Sequence, residues 1–193
     1  MNVNLTNPFR TATFAGGCFW CTESDFEKVP GIKAVTSGYT GGSHPNPSYE
    51  EVCRGNTGHY EAVQIHYDPE QISYHELLAI FWRTIDPTDA GGQFVDRGSQ
   101  YRTAIFYAND EEKQLAEASK RALEESGRFS APLATVIRPL AVFYPAEEHH
   151  QDYYRKAPLH YRLYRQNSGR DQFLKRFWPK RPDPAAPPAA TTK

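Results

Sequence analysis

Two neighbouring stretches of the chain follow different periods, and together they exclude any fold made of one kind of element. Residues Tyr60–Tyr67 (YEAVQIHY) alternate as a strand with one covered face does. Shortly after, Tyr74, Leu77, Leu78, Phe81, Trp82 and Ile85 recur at helical spacing within Ser73–Ile85. Ser73 and Glu76 there form a capping box that starts the helix. A helix with so broad an apolar face must bury it, and a half-covered strand offers the matching surface.

The rest of the chain continues the mixture. Thr11–Ala15 reads as a strand that ends at Gly16-Gly17, and Phe19–Val29 as a helix stopped near Pro30-Gly31. Ile32–Tyr39 is a strand, followed by an irregular loop, TGGSHPNPSY. Tyr101–Ala108 is a strand and Asp110–Ser126 a helix that stops at Gly127. Thr135–Tyr144 is a strand in which Pro139 demands an edge or a bulge, and Glu147–Lys156 is a short helix. There is no strict repeat of strand and helix, so the expected class is α/β or α+β in layers. The 193 residues suit one domain, taken as residues 1–178. The remainder, PKRPDPAAPPAATTK, has five prolines and no aromatic residue, and is expected to be a disordered tail.

Composition narrows the functional classes. No run approaches the ~20 apolar residues of a membrane span, and the N-terminus lacks the pattern of a secretory signal. Three cysteines cannot all pair within one chain, which argues against a disulfide-stapled secreted scaffold and for reduced thiols in the cytoplasm. Whole-chain charge is −1, but unevenly spread: Arg155–Lys193 carries ten basic and two acidic residues. Tyr161, Tyr164, Phe173, Phe177 and Trp178 are interleaved with those basic residues. A nucleic-acid surface is one reading. A segment packed by its aromatics onto an acidic body is the favoured one, with no nucleic acid bound.

The strongest local signal is Gly16-Gly17-Cys18-Phe19-Trp20-Cys21-Thr22-Glu23. A strand runs through two glycines into a helix, so Cys18 lies at the helix N-terminus, where free N–H groups and the dipole favour a thiolate. Cys21 is three residues on, within reach on the first turn. Three readings fit: a thioredoxin-like redox motif, half of a zinc site completed by Cys53 and a histidine, or a reductase cysteine beside an apolar pocket. Phe19-Trp20 favours the last, because large aromatics beside a nucleophile suit a polarizable thioether-like group. Glu61 shares a strand face with Val63, Ile65 and Tyr67. It is either a strand-end carboxylate reaching solvent or a buried acid with a raised pKa.

GCFWCTE resembles the catalytic motif of the A-type methionine sulfoxide reductases (peptide-methionine (S)-S-oxide reductases). Further blocks resemble the family in the same order: GYTGG at Gly38–Gly42, PNPSYEEVC at Pro45–Cys53, TGHYE at Thr57–Glu61, DRGSQYR at Asp96–Arg102 and FYPAEEHHQ at Phe143–Gln151. The resemblance implies a two-layer sandwich with a ferredoxin-like αβ plait core and additional peripheral elements. It also implies an oxidoreductase for methionine (S)-sulfoxide, free or in proteins. Cys18 would be the nucleophile that becomes a sulfenic acid, Glu61 the proton donor, and Tyr49 and Tyr101 hydrogen-bond donors to the sulfoxide oxygen. Phe19 and Trp20 would cradle the S-methyl group and Asp96 would help hold the substrate. His149 and His150 read as structural.

Many family members resolve the sulfenic acid with a cysteine in a C-terminal tail, and this chain has no cysteine after Cys53. Cys21 is therefore the expected resolver, with Cys53 or direct attack by a small thiol as alternatives. No bound cofactor or metal is expected. Thioredoxin, glutaredoxin or glutathione would supply electrons, with dithiothreitol sufficing in vitro. The protein is expected to be a cytoplasmic monomer. The rivals are a thioredoxin-like disulfide oxidoreductase and a zinc-stabilised interaction module. The only methionine, Met1, suits an enzyme that works on oxidised methionines, which gains from having almost none of its own to be oxidised.

Overall fold

The computed structural model describes residues 8–178, so the expected tail at 179–193 lies outside the described residues. The chain runs β1 (Arg10–Gly16), α1 (Phe19–Phe26), β2 (Ile32–Thr40), α2 (Tyr49–Cys53), β3 (Tyr60–Tyr67), α3 (Tyr74–Trp82). A hairpin of β4 (Gly92–Gln93) and β5 (Asp96–Arg97) follows, then β6 (Thr103–Tyr107) and α4 (Asp110–Glu125). The chain continues through β7 (Val136–Pro139), β8 (Tyr144–Pro145), α5 (Tyr153–Lys156), α6 (Pro158–Asn167) and α7 (Arg170–Phe177).

The main sheet has the order β7-β6-β1-β3-β2-β8. Every neighbouring pair is antiparallel except β6 with β7. Its central four strands, β6-β1-β3-β2, are two interlocked split β-α-β units, with α1 linking β1 to β2 and α3 lying between β3 and β6. This is the ferredoxin-like plait expected, and the α+β sandwich class with it.

Strand alternation sorts the sheet into two faces. Ala12, Phe14, Val63, Ile65 and Ile105 point into the layer of α1 and α3 and meet Phe26, Leu77, Leu78 and Phe81. Phe14 stacks on Phe81 with centroids 4.9 Å apart. Ala15, Tyr60, Ala62, Ala104 and Phe106 form a second cluster on the other face, with Leu140 and Phe143 against it. Glu61 follows the parity of Val63 and so enters the helix-covered layer. Among the described residues, no helix is long and apolar enough to cross a membrane.

Several elements differ from the sequence expectation. The loop after β2 contains α2, opened by a complete capping box of Ser48 and Glu51, so Tyr49 begins a helix rather than sitting in a loop. Tyr101 ends a 3-10 turn (Ser99–Tyr101) instead of starting a strand. Thr135–Tyr144 is not one strand: β7 stops at Pro139 on the sheet edge, and β8 is a separate strand paired to β2. Glu147–Lys156 divides into a 3-10 turn (Glu148–His150) and α5, with Asp152 at φ 53° between them. Gln151 accounts for the break. Its side-chain amide accepts from Ser37 N–H at 2.8 Å and donates to the Ser37 carbonyl at 2.8 Å, so the chain is pinned to β2 where a helix would turn away.

The basic C-terminal segment packs inward. Arg165 pairs with Asp25 of α1 at 2.9 Å, Tyr153 stacks on Trp20 with centroids 3.8 Å apart, and Phe173 meets Phe94 of the hairpin at 5.6 Å. Helices α5–α7 thereby pack along α1 and against the hairpin.

Candidate active site

The site is built on the corner between β1 and α1. Gly17 takes φ +85°, and a Cβ there would lie 2.6 Å from Gln93 Cβ, so both conformation and space require glycine. Cys18 follows as the N-cap of α1, and its side chain makes no capping bond. The first free amide of the helix, Phe19 N–H, donates to Glu61 Oε2 at 3.0 Å. Cys21 N–H and Thr22 N–H turn back to the Cys18 carbonyl at 3.2 and 3.3 Å.

Glu61 is 1% exposed. Burial pushes its carboxyl up to about 8, opposed by the Phe19 N–H bond and reinforced by Asp96 and Cys21. At neutral pH it holds a proton inside the protein, which is the state a general acid needs.

Cys18 and Cys21 are free thiols, 6% and 0% exposed, and hydrogen-bonded to each other. Burial, then the contact with Cys21, raises the Cys18 thiol well above its usual range. Cys21 is lowered to about 7 by the hydrogen bond from Cys18, against burial, with Arg170 and Arg165 helping. Burial thus works against the thiolate that the helix terminus is expected to favour on Cys18. The amide that would have favoured it is already engaged by Glu61, and the arginines face Cys21. Within the pair, burial and the Cys21 contact disfavour the anion on Cys18, whereas the hydrogen bond from Cys18 and the arginines favour it on Cys21.

Tyr49 and Tyr101 come from separate elements to the same place. Tyr49 N–H donates to Glu147 Oε1 at 2.9 Å, and its ring lies 6.4 Å from Phe19 and 4.3 Å from His150. Both phenol hydroxyls reach the Cys53 sulfur. Burial raises both phenols above their ordinary value, and Glu61 adds to this, so they stay protonated as donors. The Cys53 thiol is raised by burial, opposed first by the bond from Tyr49.

Phe19 is buried, whereas Trp20 is half-buried and held on several sides. Its Nε1 donates to His150 Nδ1 at 3.2 Å, and Tyr164 meets it edge-on with centroids 6.0 Å apart. Asp96, in the hairpin, accepts a hydrogen bond from Tyr164 and is raised by burial. Thus Cys18, Cys21, Glu61, Tyr49, Tyr101, Phe19, Trp20 and Asp96 all gather around one corner.

His150 belongs to the same cluster as a buried ring wedged against Phe19, Trp20 and Tyr49. Sequence reading missed Tyr164, Arg170 and Glu147. Tyr164 and Arg170 sit within the mixed basic and aromatic run, whose pattern does not say which side chains turn inward. Among the described residues, no group of three or more histidine, cysteine or acidic side chains is placed to hold a metal ion.

A buried dithiol beside a proton-holding carboxyl and two phenol donors can reduce an oxidised sulfur while protonating the oxygen it loses. The model of the family described as peptide methionine sulfoxide reductase matches residues 10–182. The chain is 58% identical over 172 residues to the peptide methionine sulfoxide reductase MsrA of Bacillus licheniformis, covering 89% of this chain and 95% of that protein. Among solved structures it is similar to Mxr1 from Saccharomyces cerevisiae in reduced form, with TM-score 0.72, 36% identity, and coverage of 79% of this chain and 88% of that one. It is also similar to Mxr1 in complex with Trx2, with TM-score 0.52, 28% identity, and coverage of 77% and 86%. With a family model spanning the whole plait and relatives aligned over nearly their full length, the chain belongs to the peptide methionine sulfoxide reductase family.

Proposed function

We propose that this protein reduces methionine (S)-sulfoxide, free or within proteins, to methionine at the expense of thiols. The observation that carries the reading is Glu61, a buried carboxyl with a pKa of about 8, hydrogen-bonded at the start of the helix that bears Cys18. Attack on a sulfoxide sulfur is slow unless the oxygen is protonated as charge develops on it, and Glu61 holds that proton where water is excluded. Tyr49 and Tyr101, both protonated, donate to the same oxygen. Phe19 and Trp20 receive the S-methyl group. Asp96, paired with Tyr164, holds the remainder of the substrate.

In the first step the Cys18 sulfur attacks the sulfoxide sulfur and gives up its thiol proton while Glu61 protonates the oxygen. The oxygen passes to Cys18 as its bond to the methionine sulfur breaks, and methionine leaves reduced by two electrons. Cys18 is left as a sulfenic acid, and the thiol proton restores Glu61. Cys21 then attacks the Cys18 sulfur, the sulfur–oxygen bond breaks, and water leaves as the disulfide forms. An external dithiol protein reopens the disulfide by exchange. The yeast relative solved with Trx2 supports thioredoxin in that role; glutaredoxin, glutathione and dithiothreitol are chemically competent substitutes. The reaction as drawn needs no bound organic cofactor or metal. The odd count of three cysteines supports a cytoplasmic setting, and the near-neutral charge speaks against nucleic acid as a partner; we read the protein as a monomer without membrane contact.

The test is turnover with dithiothreitol of a peptide carrying the S-sulfoxide, compared with its R epimer. Turnover of the S form alone is expected. Equal turnover of both, or of neither, overturns the proposal.

A further inference from the structure

Arg170, the first residue of α7, is 1% exposed and is the bulkiest fully buried side chain among the described residues. Its Nη1 donates to the Thr84 carbonyl at 2.6 Å and its Nη2 to the Gly16 carbonyl at 3.1 Å. The guanidinium lies over the Phe94 ring, 4.7 Å from the centroid, and its Nε has no hydrogen-bond partner. Among the described residues no carboxylate forms an ion pair with it. Arg165 differs in this respect, because Asp25 at 2.9 Å and Asp171 at 3.0 Å engage its charge.

A buried cation with no carboxylate in ion-pair contact is expensive, so its place in the fold asks for a use. Its position supplies one. Gly16 O begins the turn that carries Cys18, and a Cβ on Gly17 would lie 3.2 Å from Arg170 Nη2. The guanidinium therefore sits beneath the corner from which both cysteines project. The groups that feel its charge are Cys21 and Asp96, and at both it favours the anion.

We infer that Arg170 is a positioning residue that clamps the Gly16–Gly17 turn and supplies the positive charge that makes Cys21 the resolving nucleophile. This rests on the reading of Cys21 as resolver. In that step the Cys21 sulfur bonds to the Cys18 sulfur and the sulfur–oxygen bond of the sulfenic acid breaks. The oxygen departs as water, carrying the sulfenic hydrogen and the proton of the Cys21 thiol. A nearby cation raises the thiolate fraction of the attacker at neutral pH, and later makes Cys21 a better leaving group when the disulfide is exchanged. The basic C-terminal arm thereby acquires a function: it does not bring a cysteine of its own, but it brings the charge that lets a helix cysteine serve.

The experiment is single turnover of the full-length protein with methionine sulfoxide and no reductant, following released methionine and the Cys18–Cys21 disulfide separately across pH. Arg170→Gln keeps an amide that can donate to the carbonyls but removes the charge, whereas Arg170→Lys keeps the charge. For Arg170→Gln, methionine release is expected to change little at pH 7, while disulfide formation slows about tenfold and its pH midpoint rises by about one unit. Arg170→Lys should track the wild type. A wild-type pH profile for disulfide formation in Arg170→Gln overturns the inference.

Should Arg170→Gln fail to fold, citrulline at position 170, introduced by ligating a synthetic C-terminal segment, keeps the shape and hydrogen bonds of Arg170 without its charge. A higher pH midpoint for iodoacetamide modification of Cys21 than in the wild type supports the inference, and an unchanged midpoint overturns it. Full thioredoxin-driven turnover by Cys21→Ser would instead remove the resolver assignment on which the inference rests.

Discussion

The Glu61 carboxyl accepts the Phe19 backbone N–H at 3.0 Å, which ties the buried acid to the residue next to the attacking cysteine. One contact orients the acid and occupies the helix terminus, so proton donor and nucleophile are set by the same hydrogen bond. Glu61→Gln leaves an amide that can still donate to the sulfoxide oxygen, and much of the activity should survive. Glu61→Ala removes donor and orientation together, and kcat/KM should fall by roughly a hundredfold or more. Wild-type activity should decline as pH rises through about 8, where the acid loses its proton, and Glu61→Gln should lack that decline. Equal losses in the two variants would argue against a donor role.

The same group makes a prediction about stability. Its folded pKa of about 8 lies above the ordinary 4.5, so the folded protein keeps a proton that the unfolded chain gives up between those values. The resulting stability is fully present below about 4.5 and is lost as pH rises through about 8. Glu61→Gln cannot ionise and should escape the loss. Its melting temperature should therefore rise relative to wild type between pH 5 and 9, by an amount equivalent to a few kcal/mol at the alkaline end. A constant difference across that range would contradict a proton held on Glu61.

Much of this was legible in the sequence, and the gaps have physical causes. Alternation in Tyr60–Tyr67 placed Glu61 on the covered face, because period alone fixes facing within a strand. The capping box of Ser73 and Glu76 marked α3 correctly. The same S-x-x-E signal at Ser48 and Glu51 lies among prolines and glycines that mask α2 and the setting of Tyr49. The break at Asp152 was not legible, since it depends on Gln151 reaching Ser37 far away in sequence. Nor was the charge state of the cysteines. Helix position favoured an anion on Cys18, but burial and the contact with Cys21 disfavour it there, while the hydrogen bond from Cys18 and, after it, Arg170, more than a hundred residues later, favour it on Cys21.

The third thiol is predicted to be a bystander in resolution. Cys53 receives the hydroxyls of Tyr49 and Tyr101, so its sulfur is occupied by the groups that would serve the substrate oxygen. After one turnover, peptide mapping should find Cys18 joined to Cys21 and Cys53 free. Cys53→Ala should retain thioredoxin-driven turnover, with a loss of only a few-fold from the two phenols losing their resting partner. A Cys18–Cys53 disulfide in the wild type, or abolished turnover in Cys53→Ala, would reassign the resolver.

Gly17→Ala provides the sharpest test of the corner itself. The left-handed conformation at φ +85° costs a non-glycine residue about 1–2 kcal/mol. The new methyl would also lie 2.6 Å from Gln93 Cβ and 2.8 Å from its Cγ. Gln93 cannot retreat easily: it is fully buried, accepts from Asp86 N–H at 2.8 Å, and donates to the Asp86 and Gly92 carbonyls, each at 2.8 Å. Gly127, just past the end of α4, separates the two costs. It also has positive φ, 64°, but a Cβ there meets nothing within 4 Å. Gly127→Ala should therefore lose only about 1 kcal/mol, from backbone strain. Gly17→Ala should lose several kcal/mol in denaturant melts, because overpacking is added to the strain. Its sulfoxide reductase activity should also fall disproportionately, since any relaxation moves Cys18 away from Glu61. Equal destabilisation by the two substitutions would mean that the close approach of Gln93 to the corner is not a real constraint.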